Sequence, residues 1–315
     1  MEKDYDILCI GLVNVNLLAK PVDKSVFDVD VTLLDGIDVL PGGDALNEAV
    51  VLSRLGNRVG LVGKVGRDDF ADTILNSLKK EGVDTKNIKM DNDVKTSACI
   101  VLINKDGSRN FATYRGANSQ FTIEDIDLSI LKRTKVVNIG SMFALKMLDG
   151  AGVETLFKEA RENHVITAAD MKQDTYKLGF DGIRKVLEFT DFFLPSYDEA
   201  AYLTNETDPV KMAEILLDTG AKTIVIKLGE KGCYIKTKHE NYMIDPFKTE
   251  AVDTTGAGDN FVAGFLTGVI RGWDLKKCGR FANAVGSLSV QKVGATTAVE
   301  NIEQVLDYIE KYRFN

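Results

Sequence analysis

The sequence predicts an α/β fold: three layers, α/β/α, around a mostly parallel sheet, with a smaller β-sheet set apart from it. Three observations carry this. From Val59 onward short apolar strands alternate with amphipathic helices, a rhythm that demands a parallel sheet covered on both faces. Two pairs of half-exposed strands, within Val26–Leu40 and Ser97–Arg115, are inserted between the core segments. Glycine turns open helices at two distant places, Gly42-Gly43 and Gly256-Ala257-Gly258.

With 315 residues, 44% of them hydrophobic, the chain can bury a full core. A net charge of -8 argues against nucleic-acid or anionic-membrane partners, which require clustered Lys and Arg. No stretch approaches membrane-spanning length, and Asp4 and Asp6 stand where a signal peptide would be basic. Cys9, Cys99, Cys233 and Cys278 lack CxxC spacing, so free thiols in a reducing, cytoplasmic setting are expected. His164 and His239 are far apart, which disfavours zinc and a Ser-His-Asp triad. Neither a GxxxxGK[ST] loop nor a strand followed by GxGxxG is present.

In chain order, Asp6–Gly11 reads as a buried strand ending in Leu12-Val13-Asn14-Val15-Asn16, whose alternation puts Asn14 and Asn16 on one side. Val26–Leu40 alternates around Val29, Val31 and Leu33, with a turn at Asp35-Gly36. Gly42 and Gly43 permit close backbone approach to a ligand, and a helix over Asp44–Leu55 offers Asn47 near its start, with Asp44 as a candidate N-cap. Strand Val59–Val65 and helix Phe70–Glu81 follow. Ser97–Ile103 and Arg109–Arg115 form the second exposed pair, turning at Asp106-Gly107.

Then come strand Val136–Ile139, helix Ala151–Asn163, strand Val165–Ala169, strand Phe192–Leu194, helices Asp198–Leu203 and Val210–Thr219, and strand Thr223–Ile226. Polar residues trail these strands, namely Asp170, Lys172, Ser196 and Lys227, where an open α/β sheet binds its ligands. Lys172 is either a phosphate contact or solvated. Ser196 and Glu199 either serve a metal or cap a helix.

The stretch Ala251–Gly268 carries the chemistry in this reading. Val262, Leu266 and Val269 recur at helical spacing, so a helix begins near Ala257, with Thr254 or Thr255 as a candidate cap. Backbone amides of Gly256, Ala257 and Gly258 at its positive end suit an anion. Asp259 would repel that anion, which makes sense if it takes a proton from an attacking hydroxyl.

The two stretches PGGDALNEAVVLSRLG and DTTGAGDNFVAGF, with GLVNVN, VGKVGRDDF and LGEKG between or before them, resemble the signatures of the ribokinase (PfkB-type) family of carbohydrate kinases. The resemblance implies a ribokinase-like core over residues 1–12, 41–93 and 119–315, and a β-sheet lid over 13–40 and 94–118 that is also a homodimer surface. It implies transfer of the ATP γ-phosphoryl to a sugar hydroxyl, usually a primary alcohol, with Mg²⁺ and, in part of the family, K⁺. Asp259 would be the base and Gly256, Ala257 and Gly258 the anion hole. Asn14, Asn16, Gly42, Gly43 and Asn47 would contact the sugar, with Lys227, Gly229, Gly232, Thr254 and Asn283 along ATP.

Glu199 matches a position that arranges water around Mg²⁺, and Asp253 with Val293–Thr297 matches a monovalent-cation loop. The chain departs from the family at Asn16, where relatives have Asp, at Ser196, and at Asp44, which could supply the hydroxyl-binding carboxylate that Asn16 lacks. Other readings stay open. A nucleoside kinase would stack a base on Phe27, Phe111 or Tyr114, an acid-sugar kinase would use Arg115, and a sugar-binding regulator would keep the fold without catalysis.

Overall fold

A computed structural model of the chain describes residues 3–312. Strand β1 (Tyr5–Ile10) is apolar and almost wholly buried, and a short bend leads it into β2 (Asn14–Lys20). The chain next makes a 3-10 turn at Lys24–Phe27, held by the Ser25 amide donating to Asp23, and extends again only at β3 (Gly36–Gly42). The strands expected over Val26–Leu40 are therefore shortened. Val29, Val31 and Leu33 are exposed, and the aspartates interleaved with them favour turns over pairing. The partner of β3 is Asn14–Lys20, which in sequence looked like the tail of the first strand.

Helix α1 (Asp44–Arg54) follows at once, then β4 (Val59–Gly66), α2 (Asp69–Lys80) with Asp68 accepting from the Ala71 amide, and β5 (Ile88–Asp91). The second strand pair is β6 (Ala98–Ile103) and β7 (Arg109–Tyr114). The alternating part continues through β8 (Thr134–Met142), α3 (Ala151–Glu162), β9 (Ile166–Met171), α4 (Gly179–Leu187), β10 (Phe192–Phe193), α5 (Tyr197–Thr204), α6 (Pro209–Leu217) and β11 (Thr223–Lys227). Sequence reading passed over β5 and α4. Both are short, although Ile183, Val186 and Leu187 of α4 are buried at helical spacing. The chain ends with β12 (Cys233–Lys236), β13 (Asn241–Ile244), α7 (Ala257–Ile270), α8 (Leu275–Ser289) and α9 (Ile302–Lys311).

Among the described residues the strands form a nine-stranded sheet, ordered β13-β12-β11-β10-β9-β8-β1-β4-β5, and a separate four-stranded sheet, β3-β2-β6-β7. The large sheet is parallel from β11 to β5 and antiparallel across β11, β12 and β13. Side-chain alternation divides its core. Ile7 and Cys9 of β1 join α1, α2, α7, α8 and α9 on one face; Leu8 and Ile10 join α3, α4, α5 and α6 on the other. Fully buried Phe265 and Leu266 anchor α7, each stabilising it by about 2 kcal/mol. The order reverses at β1, which pairs with both β8 and β4, and a crevice opens at the carboxyl ends of strands at such a point. The four cysteines are free and buried, and no helix of the described residues is long and apolar enough to cross a membrane.

Candidate active site

Three segments converge at that crevice: the β1–β2 bend, the β3–α1 turn and the start of α7. The bend is fixed by the Leu12 amide donating to Ser141 Oγ (3.1 Å) and the Val13 amide donating to Asn118 Oδ1 (3.2 Å). Asn14 and Asn16 do share one side of β2, and Asn14 Nδ2 donates to Asn16 Oδ1 (2.8 Å). They press on the glycine turn. A Cβ at Gly42 would lie 2.2 Å from Asn16 Nδ2, and one at Gly43 2.3 Å from the Leu12 carbonyl oxygen, at a φ of 103°. The glycines thus admit the chain's own backbone and amides, a tertiary demand that sequence cannot display.

Gly43 is the N-cap of α1 and caps without a side chain, so Asp44 is the first helical residue and not the cap. Its Oδ1 pairs with Lys172 Nζ (3.1 Å), while its buried Oδ2 has no partner among the described residues. One turn further in, Glu48 is fully buried beneath the site. Asn138 Nδ2 donates to Glu48 Oε2 (2.7 Å), and a Cβ at Gly140 would stand 2.4 Å from the same oxygen. Burial, then the charges of Asp170, Asp259 and Asp44, push its carboxyl well above the usual range. Sequence reading missed Glu48 and Asn138. The available signal was an acid on the buried face of an amphipathic helix.

The late turn comes to the same place. Neither Thr254 nor Thr255 caps α7; the N-cap is Gly256, at φ 74° in the left-handed region. The Ala257 amide turns back to the Thr254 carbonyl (3.2 Å), which leaves the Gly256, Gly258 and Asp259 amides as the open donors among the described residues. Asp259, almost fully buried, accepts a 2.7 Å hydrogen bond at Oδ2 from Asn47 Nδ2. Burial and then the Asp44 carboxylate raise its carboxyl to about 6, against the pull of Lys172, the Asn47 hydrogen bond and Lys227. Lys172 is itself raised, first by Asp44.

Lys227 reaches both oxygens of Asp170 (2.6 and 2.7 Å), and its ammonium would lie 3.5 Å from a Cβ at Gly258, beside the open amides. Burial disfavours charge on both partners, but the attraction between them and the nearby Glu199 carboxylate hold Lys227 up and charged. Ser196 and Glu199 form a capping box: the Glu199 amide donates to Ser196 Oγ (3.3 Å) and the Ser196 amide to Glu199 Oε2 (2.7 Å). One Glu199 oxygen is therefore spent on the helix. No three His, Cys, Asp or Glu side chains among the described residues gather as a metal cage. Mg²⁺ in kinase sites is carried mainly by phosphates and water and takes few protein ligands.

The remaining expected contacts divide. Gly229 is open, with a φ of 59° and nothing near its Cβ position, whereas a Cβ at Gly232 would sit 2.0 Å from the Ile244 carbonyl oxygen. Asn283 Nδ2 donates to the carbonyls of Ile244 (3.1 Å) and Asp245 (3.0 Å), tying α8 to the end of β13. Thr254 is exposed. Arg115 opens the 3-10 turn over 116–120, where its carbonyl accepts from Ser97. Asp253 accepts from the amides of Thr255 (2.9 Å) and Gly294 (2.8 Å) and pairs with Arg109 of β7 (2.9 Å), a residue the sequence reading did not single out. Burial opposes it, yet these donors hold the Asp253 carboxyl down at about 2. Arg109, Phe111 and residues 251–255 line a cavity of about 420 Å³ between the small sheet and the loop before α7.

Comparison with known proteins bears on this arrangement. Residues 4–302 match the pfkB family carbohydrate kinase description. Fructokinase-2 of Zea mays is 29% identical over 287 residues, which is 86% of this chain and 85% of that protein. A ribokinase of Arabidopsis thaliana complexed with ribose and ATP superposes with a TM-score of 0.84 at 23% identity, over 98% of this chain and 99% of the other. An E. coli structure named for ribokinase II, in complex with ATP and Mg²⁺, gives 0.84 at 24% identity, over 99% and 100%.

Proposed function

The chain belongs to the pfkB family of carbohydrate kinases, and from that premise we propose that it moves the γ-phosphoryl of Mg·ATP to the primary alcohol of a small sugar. Asp259 is the general base in this reading, and the open amides of Gly256, Gly258 and Asp259 are the anion hole. The observation that carries it is the 2.7 Å hydrogen bond from Asn47 to Asp259, which joins the sugar-side turn to the phosphoryl-side turn in one crevice. The Asn47 oxygen left over and the similar Asp44 Oδ2, both buried and without a partner among the described residues, are the acceptors for sugar hydroxyls in this reading. Lys227 beside Gly258 adds positive charge where the phosphoryl would travel. When bound, Mg²⁺ neutralises the ATP phosphate oxygens, and Glu199, whose second oxygen is outside its capping box, would hold its water.

A coupled ADP-release screen with Mg·ATP across sugars and nucleosides tests the reading; no turnover with any sugar overturns it. Nucleosides belong in the screen because Phe111 shares the cavity with Arg109. Tyr114, an odd number of residues from both along β7, falls on the other side of the sheet.

Asp44 takes the place of the acid that Asn16 lacks. Asp44→Asn is expected to raise the sugar KM by about 10- to 100-fold, the worth of a hydrogen bond to a charged group. Because the Asp44 charge helps to raise Asp259, the acid limb of kcat should also move below pH 6. A pH series of initial rates measures both, and an unchanged sugar KM discards the role.

The small sheet is a lid, and its outer face is a homodimer surface. Val39, Leu17, Ile100 and Ala112 run in register across four strands on the side opposite Arg109 and Phe111. Ile37, Val39, Ile100 and Tyr114 on that side are 61%, 43%, 45% and 53% exposed, a large apolar area for a single chain to leave in water. Sedimentation should give twice the chain mass, and Ile100→Asp should return the mass of one chain.

A further inference from the structure

Asp253 with Val293–Thr297 is where the family resemblance implies a monovalent cation, and the carbonyls from Val293 to Thr296 each already accept a hydrogen bond. A potassium ion needs several oxygens with free lone pairs, usually carbonyls. Here the Val293 and Gly294 carbonyls accept from Thr297 Oγ1 (2.7 and 3.2 Å). The Ala295 carbonyl accepts from Asn260 Nδ2 (2.7 Å), and the Thr296 carbonyl from Arg54. The one full negative charge, Asp253, is met by Arg109 at 2.9 Å and by two backbone amides, and Arg109 also donates to the Thr255 hydroxyl. A cation placed there would stand beside a guanidinium, like charge against like, so these residues do not fit the ion.

The two arginines arrive from different elements. Arg54, in the last turn of α1, bonds the Thr296 and Val299 carbonyls while Glu81 holds it through both oxygens (2.7 and 2.8 Å). Arg109 rides on β7, an edge strand of the small sheet whose other five residues are exposed; its own side chain is 22% exposed. It therefore tethers the small sheet to the segment that leads into Gly256.

We propose that Arg109 replaces the monovalent cation: its guanidinium on Asp253 orders the 253–259 turn, and the chain needs no potassium. Arg109 is a positioning residue, acting through Asp253 and Thr255 on the amides that receive the phosphoryl. Because it belongs to the sheet over the sugar, seating that sheet also completes the phosphate side. The inference deepens the kinase reading and rests on it for its kinetic consequences, but cation binding is measurable without turnover.

The test compares Tm, read without substrates, and kcat in potassium chloride and in choline chloride at equal ionic strength. The wild-type chain should show the same Tm in both salts and a kcat within about twofold. Arg109→Ala should lose about tenfold or more in kcat with smaller changes in either KM, recover part of it as Arg109→Lys, and become potassium-activated because Asp253 is then unpaired. A wild-type Tm or kcat that rises with potassium overturns the proposal. So does an Arg109→Ala variant that keeps its kcat, or that loses it without responding to potassium. If Arg109→Ala does not fold, the wild-type comparison decides alone; if no sugar is turned over, the kinase reading fails and the Tm comparison still reports on the ion.

Discussion

Asp259→Asn is expected to lower kcat by about 10² to 10⁴, the usual contribution of a positioned general base, while ATP affinity stays within about twofold. The substitution keeps size and can keep the hydrogen bond from Asn47, so the loss reads the proton and not the shape. With its carboxyl raised to about 6, the wild-type base is ionised at neutral pH and protonated below. Activity should therefore fall as pH drops through about 6, and the variant should lose that limb.

Stability should move the other way. A carboxyl that burial raises from 3.8 to about 6 binds its proton more tightly folded than unfolded, so it costs stability as pH rises through that window. Removing the charge should return on the order of 1 to 3 kcal/mol at neutral pH. A variant more stable and far slower is the pattern of a site strained for function. Single-turnover rates with denaturant titrations at two pH values measure both, and a variant with wild-type kcat removes Asp259 from the mechanism.

Gly256→Ala should cost about 10² to 10³ in kcat, comparable to losing one donor of an anion hole. Its φ of 74° is strained for any side chain, and an added Cβ would lie 2.7 to 2.9 Å from Ala295. That contact includes the Ala295 backbone, which is pinned by Asn260, so the turn must move and take the Gly258 and Asp259 amides with it. KM for ATP should rise along with the fall in kcat, which separates this variant from Asp259→Asn. Wild-type kinetics in Gly256→Ala would place the phosphoryl elsewhere.

How far the sequence could be read is clear from single elements. The period of Val262, Leu266 and Val269 located α7, and the alternation of β6 and β7 about Asp106-Gly107 located a hairpin, because both are local patterns. The same alternation misled over Val26–Leu40, where no second strand is present to pair with the first half. Caps were the weakest inference. Asp44, Thr254 and Thr255 had the right chemistry for capping, but glycines hold both cap positions, since backbone and side chains crowd each turn.

By itself the sequence determined the α/β class, the small second sheet and the two glycine turns that the chemistry would need, since each is written in spacing along a few consecutive residues. Only the tertiary structure decided that Asn47 meets Asp259 across 212 positions, that Lys172 neutralises Asp44, that Glu48 is sealed beneath them, and that Arg109 takes the Asp253 charge. Charge pairing and burial act through space over a few ångströms, and no local pattern records which distant side chains the fold will bring within that range.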